Sequence, residues 1–188
     1  MRLKLLSIFF VLFFITGCDK KDETKSDLNQ TTKESIASNK VQEMQVKDAN
    51  LTLTNGQSLF VVAKNNKIEI ADKNKATLFV FWATWCAPCR AEIPHLNNLN
   101  DKFKKELNII AVLIENKTQD QIKDFMQKHK IKYKVAVGNE NFKLEKALGG
   151  IIGLPSSLLY KPNGELYRSY VGLVPEEMLQ RDILKAVE

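Results

Sequence analysis

The chain has 188 residues, enough for one domain with extensions and an ordinary apolar core, and too few for two catalytic domains. Its formal charge of +6 comes from 28 basic and 22 acidic side chains. That balance is mild and evenly mixed, which argues against a nucleic-acid partner.

Met1 to Gly17 has the form of a secretory signal: Arg2 and Lys4 open it, and Leu5 to Ile15 is apolar apart from Ser7. The stretch is too short to span a bilayer as a free-standing helix. Ile15-Thr16-Gly17-Cys18 resembles a bacterial lipobox, in which Cys18 is lipidated and becomes the first residue of the mature protein. The alternative is an ordinary cleaved signal that leaves Cys18 a free thiol. Several acyl chains on Cys18 would anchor the chain stably to a lipid bilayer where one chain binds only marginally. Asp19 to about Lys40 is polar, with hardly an apolar residue to bury, and reads as a flexible tether spanning roughly 25 to 30 Å on average. The expected organisation is a signal over 1–17, lipidated Cys18 and tether over 18–45, and a folded domain over 46–188.

Within that domain, Leu51 to Leu53 and Ser58 to Val62 flank Asn55-Gly56 and predict an N-terminal β-hairpin. Ala76 to Trp82 is apolar on both faces, as a central strand covered by helices should be. Trp85-Cys86-Ala87-Pro88-Cys89-Arg90 follows directly. If a helix starts at Cys86, residues three apart share a face, and the two sulfurs can close a small ring. Cys86 then sits at the helix N-terminus, where unpaired N–H groups and the helix dipole favour a thiolate. Cys86 is therefore the expected nucleophile, and Cys89, one turn inside, the thiol that resolves a mixed disulfide. Pro88 falls in the first turn, where a missing N–H costs little.

The helix is expected to run to about Lys105, with Pro94 inside it. Asn108 to Glu115 reads as a second buried strand. Thr118 to Lys130 follows as a helix with Ile122, Phe125 and Met126 on its apolar side and Thr118 or Asp120 as cap. A short strand over Tyr133 to Val137 and a short helix over Asn141 to Leu148, ending at Gly149-Gly150, come next. Ser156 to Tyr160 and Leu166 to Val171 flank Pro162-Asn163-Gly164 as a second hairpin, and Pro175 to Val187 closes the chain as a helix. The fold class is α/β: a mixed sheet sandwiched by helices, with the N-terminal hairpin as an extension.

Half a zinc site has the same spacing as Cys86 and Cys89, but the remaining donors are Cys18, His95 and His129. His95 lies about 180° from Cys86 on an ideal helix. No metal is expected, and His95 and His129 read as structural or solvated. Trp82 belongs to the core of its strand.

Phe81-Trp82-Ala83-Thr84-Trp85-Cys86-Ala87-Pro88-Cys89-Arg90-Ala91-Glu92-Ile93-Pro94 resembles the active-site segment of the thioredoxin superfamily, and most of all its membrane-anchored TlpA/ResA branch. The resemblance implies a thioredoxin-like fold and a thiol-disulfide oxidoreductase whose redox carrier is the Cys86-Cys89 pair, with no metal, flavin or nicotinamide. It implies that Leu154-Pro155-Ser156 is the cis-proline segment facing the dithiol, with the Leu154 backbone pairing an extended substrate strand; the alternative is an ordinary trans turn proline. Ordinary thioredoxins carry a buried Asp six positions before the first cysteine, where this chain has Val80, while Glu92 matches the acid of the TlpA/ResA branch. Glu92 lies one helical turn beyond Cys89 and would move protons on and off the dithiol; the alternative is a solvated acid pairing with Arg90 or a lysine. Trp85, Ile151, Ile152 and Leu154 would rim the peptide-binding surface.

The function so implied is reduction of client-protein disulfides at the extracytoplasmic face of a bacterial membrane, in the periplasm. The partners are clients such as a cytochrome c apoprotein, a membrane electron donor, and the bilayer through acylated Cys18. Rival readings are an oxidase or isomerase on the same fold, and a non-catalytic thioredoxin-like binding module.

Overall fold

The computed structural model describes residues 47–188. The expected signal, Cys18 and the tether lie outside the described residues.

Strands β1 (Lys47–Leu53) and β2 (Ser58–Lys64) form the expected hairpin around Asn55-Gly56. Gly56 adopts a φ of 85°, a conformation that disfavours any residue with a Cβ. The hairpin then gains a third strand that its sequence did not announce, β3 (Lys67–Glu69), paired antiparallel to β2. Asn65 and Asn66 make that turn, with φ values of 52° and 60° that asparagine tolerates better than most residues.

The core of the sheet is β4 (Ala76–Trp82), buried along its whole length, beside the equally buried β5 (Leu107–Leu113). These two run parallel, as does β6 (Lys134–Val137) against β5. On the other side β7 (Ser156–Tyr160) pairs antiparallel with β4, and β8 (Leu166–Val171) with β7. The hairpin joins through β1 and β6, giving one sheet in the order β3-β2-β1-β6-β5-β4-β7-β8.

Alternation along the strands builds a separate core on each face. Leu78, Val80 and Trp82 of β4 and Ile109, Ala111 and Leu113 of β5 point to one side. There they meet α1 (Ala87–Lys102), α2 (Gln119–His129) and α4 (Glu176–Val187) through Leu96, Leu99, Ile122, Leu179 and Ile183. Phe79, Phe81, Ile110 and Val112 point to the other side, against Leu144 of α3 (Glu140–Ala147) and Leu51 and Val61 of the hairpin. Helices thus cover both faces, as predicted for near-continuous apolar strands.

Helix α1 is shorter than its sequence suggested. It ends at Lys102, and the next residues form a tight turn in which the Phe103 carbonyl accepts from the Glu106 and Leu107 N–H groups. Thr118 caps α2 in a reciprocal box with Gln121. Pro175 stands just before α4 rather than in its first turn. Asn141 is wholly buried at the start of α3, where its amide donates to the Leu113 and Ala136 carbonyls and ties the ends of β5 and β6 together.

Candidate active site

Cys86 is the N-cap of α1, with φ −74° and ψ 107°, and Pro88 lies in the first turn behind it. Cys86 and Cys89 are joined in a disulfide, with Cα atoms 5.3 Å apart. The Cys89 N–H donates to Cys86 Sγ at 3.2 Å, so the cap position already directs a helix-terminal donor at this sulfur. Both residues are 4% exposed. Exposure does not separate them; position on the helix does. Trp85 projects beside them at 68% exposure and forms one wall of a groove of about 420 Å³ whose other side is Phe125, Lys117 and Lys128.

Glu92 has no exposed surface. Its Oε1 accepts from the Val174 N–H at 3.2 Å, while its Oε2 is buried without a hydrogen-bond partner. Burial pushes the carboxyl up from 4.5 to about 7, against a smaller lowering by the Val174 N–H. The alternative reading of Glu92 as a solvated acid paired with Arg90 or a lysine is overturned by this burial, and the Arg90 guanidinium instead donates from Nη1 to the Thr84 carbonyl at 2.9 Å. Burial raises the Tyr133 hydroxyl too, and the charge of Glu92 adds to the rise, which puts Tyr133 in electrical reach of the acid.

The Leu154-Pro155 peptide is cis. Phe81 pairs with Ser156, so strand register brings Leu154 and Pro155 to the end of the sheet from which β4 runs toward Cys86. The buried Pro155 offers its carbonyl to the Gly172 N–H at 2.8 Å. Leu154 is half-buried against both cores, and Ile152 beside it is 90% exposed.

The Redoxin family model matches residues 37–186. The chain belongs to the Redoxin family. Within the thioredoxin superfamily, it is similar to the thiol-disulfide oxidoreductase ResA of Bacillus thuringiensis subsp. konkukian (strain 97-27), at 34% identity over 131 residues covering 67% of this chain and 73% of the relative. The crystal structure of a Chlorobium tepidum protein described as a candidate thiol:disulfide interchange protein DsbE matches with a TM-score of 0.60 and 30% identity, over 78% of this chain and 99% of that one. StoA from Bacillus subtilis shares the fold, with a TM-score of 0.58 at 22% identity over 72% and 95% of the two chains. This Redoxin is a thiol-disulfide oxidoreductase with a Cys-x-x-Cys disulfide at its helix start.

Three residues at the Redoxin site carried no role in the sequence. Val174 holds the buried acid, and Tyr133 shares its electrostatic environment. Glu115, two residues past the end of β5, accepts from the Thr84 N–H at 2.6 Å. An acid closing the apolar run Ile109 to Ile114 was the available signal for Glu115; nothing in the sequence pointed to Val174. The described residues contain no cluster of His, Cys, Asp or Glu fit to hold a metal ion.

Proposed function

We propose that this Redoxin reduces disulfides in client proteins outside the cytoplasm, with Cys86 as attacking sulfur and Cys89 as resolving sulfur. The observation that carries the reading is Cys86 at the N-cap of α1, with its sulfur facing the Cys89 N–H and a buried carboxyl one turn beyond Cys89. In the reduced protein the Cys86 thiolate attacks one sulfur of a client disulfide, and the other client sulfur leaves and takes up a proton. Cys89 then loses its proton and attacks Cys86 Sγ. The Cys86–Cys89 bond forms, the client departs as a dithiol, and two electrons have passed to it.

Glu92 is the proposed acceptor of the Cys89 proton, directly or through a water. A carboxyl held near 7 is matched to that task, since it gives and takes a proton at neutral pH. Trp85 and Leu154 flank the approach of the client, and cis-Pro155 presents the Leu154 backbone as an edge for an extended client strand.

The reducing direction is supported by the surroundings of Cys86. Ala87 and Pro88 supply no side-chain donor to the sulfur, and Arg90 is engaged with Thr84. The TlpA/ResA resemblance extends the proposal to the haem-attachment cysteines of a cytochrome c apoprotein as client, to a membrane electron donor that regenerates the dithiol, and to a bilayer anchor on acylated Cys18.

A Cys89→Ala variant tests the sequence of attack. It should accumulate a mixed disulfide on Cys86, which mass spectrometry would locate and whose partner it would name. Absence of any covalent adduct during exposure to client disulfides would overturn the assignment of Cys86 as nucleophile.

A further inference from the structure

While the disulfide is closed, the ring itself holds Cys86 against α1. Once it opens, the N-cap geometry of Cys86 depends on the backbone that precedes it. That backbone is short. The Trp82 carbonyl is still in the sheet, accepting from the Ile114 N–H at 2.8 Å, and the Cys86 N–H already donates to the Ala83 carbonyl at 3.2 Å.

Thr84 sits at the centre of this connection, and both ends of its backbone are held by charged side chains. Its N–H donates to Oε1 of Glu115 at 2.6 Å, and its carbonyl accepts from Nη1 of Arg90 at 2.9 Å. Glu115 comes from the loop just past the neighbouring parallel strand β5, and Arg90 from the first turn of α1, where its own N–H donates to the Cys86 carbonyl at 3.1 Å. The carboxylate meets an N–H, the positive end of a peptide dipole, and the guanidinium meets a carbonyl, the negative end. Charge-assisted bonds of this kind are about twice as strong as neutral ones, and Thr84, Glu115 and Arg90 are all half-buried, where screening is weaker.

We propose that Glu115 and Arg90 form a positioning clamp on the Thr84 backbone that keeps Cys86 at the helix N-terminus in the reduced protein, and so sustains the reactivity of its sulfur. The inference rests on Cys86 being the attacking sulfur. Neither clamp residue touches the reacting atoms; both act through the backbone that carries Trp85 and Cys86.

The charge of Glu115 and its hydrogen bond have opposite effects on Cys86, which makes the clamp testable. A nearby negative charge disfavours a thiolate, whereas the clamp favours one by aligning the cap. Glu115→Ala should slow alkylation of Cys86 at neutral pH by about two- to fivefold, the range set by a helix-terminus interaction, and move its pH profile upward. Glu115→Gln keeps an acceptor oxygen and should restore the profile to that of the unsubstituted protein or slightly below it. Arg90→Ala should act like Glu115→Ala, and the double variant should be no slower than either, because both hold the backbone of one residue, Thr84, from its two sides. Should Glu115→Ala fail to fold, Glu115→Asp carries the test, because it keeps the charge but draws the oxygen back from the Thr84 N–H: slowed alkylation of Cys86 supports the clamp and an unmoved profile overturns it.

If Ala and Gln at 115 both move the profile downward, Glu115 acts only as a charge and the clamp is overturned. An unmoved profile in Glu115→Ala overturns it as well, whatever Arg90→Ala does, since that variant also removes a positive charge. Peptide mapping of the label separates this from the underlying reading: label on Cys86 with no shift removes the clamp alone. Label on Cys89 removes the assignment of the attacking sulfur, and the clamp with it.

Discussion

Oε1 of Glu92 accepts the Val174 N–H at 3.2 Å, which ties the redox helix α1 to the loop leading into α4. Two residues before Val174, the Gly172 N–H donates to the Pro155 carbonyl. A single stretch of backbone therefore joins the acid beneath the dithiol to the loop proposed to receive the client.

The buried acid should give stability an unusual pH dependence. Its folded pKa of about 7 lies above the unfolded value of 4.5, so between these values the folded state binds the proton more tightly. The stability from a neutral Glu92 is present in full below about pH 4.5 and lost as pH rises through 7, by roughly 3 kcal/mol at most. Glu92→Gln should remove this fall and leave the variant more stable than the unsubstituted protein at pH 8. Urea titrations of both proteins at pH 5 and pH 8 check it; parallel behaviour would contradict the buried-acid assignment.

The two cysteines should react unequally once reduced. At neutral pH Cys86 should be alkylated several-fold faster than Cys89, because the helix terminus favours its thiolate. In Glu92→Gln the thiol titration should lose its inflection near pH 7. Equal rates at the two sulfurs, or an unchanged titration in the variant, would return the asymmetry or the acid to a structural role.

Local chemistry explains how much of this was legible in the sequence. Asn55-Gly56 and Pro162-Asn163-Gly164 announced their hairpins, and unbroken apolar runs announced β4 and β5, because turn residues and two-faced burial leave local marks. Cys86, Cys89 and the cis bond before Pro155 were legible through one motif and its resemblance. Asn65-Asn66 and β3 were missed, since a three-residue strand shows no period. The position of Glu92 on α1 was readable from spacing, but its burial was not. That depends on the loop around Val174, some eighty residues later in the chain, covering the carboxyl. Glu115 escaped for the same reason: its partner Thr84 is brought near only by the parallel pairing of β4 and β5.

A substitution far from the dithiol should affect stability alone. Gly164 has a φ of 80°, and a Cβ there would lie 1.9 Å from the Ile68 carbonyl oxygen, whose strand is fastened by the Ile68 N–H to Gly164. Gly164→Ala should cost about 2 kcal/mol or more. Thermal melts would show a lowered midpoint with an unchanged Cys86 alkylation rate per folded molecule; an unchanged midpoint would contradict the close approach.

The anchor proposed on Cys18 has its own readout. Cys18→Ser should abolish incorporation of radiolabelled fatty acid in cells and leave an unlipidated precursor. Label retained in the variant would exclude Cys18 as the acylation site.

The reducing direction is the central claim, and the equilibrium with glutathione measures it directly. With only the helix terminus and the Cys89 N–H to stabilise the Cys86 thiolate, the reduced form gains modest help. The account predicts a reduction potential below about −200 mV, toward the thioredoxin value of about −270 mV. A potential near −120 mV, the range of a strong disulfide oxidant, would contradict the assignment as a client reductase.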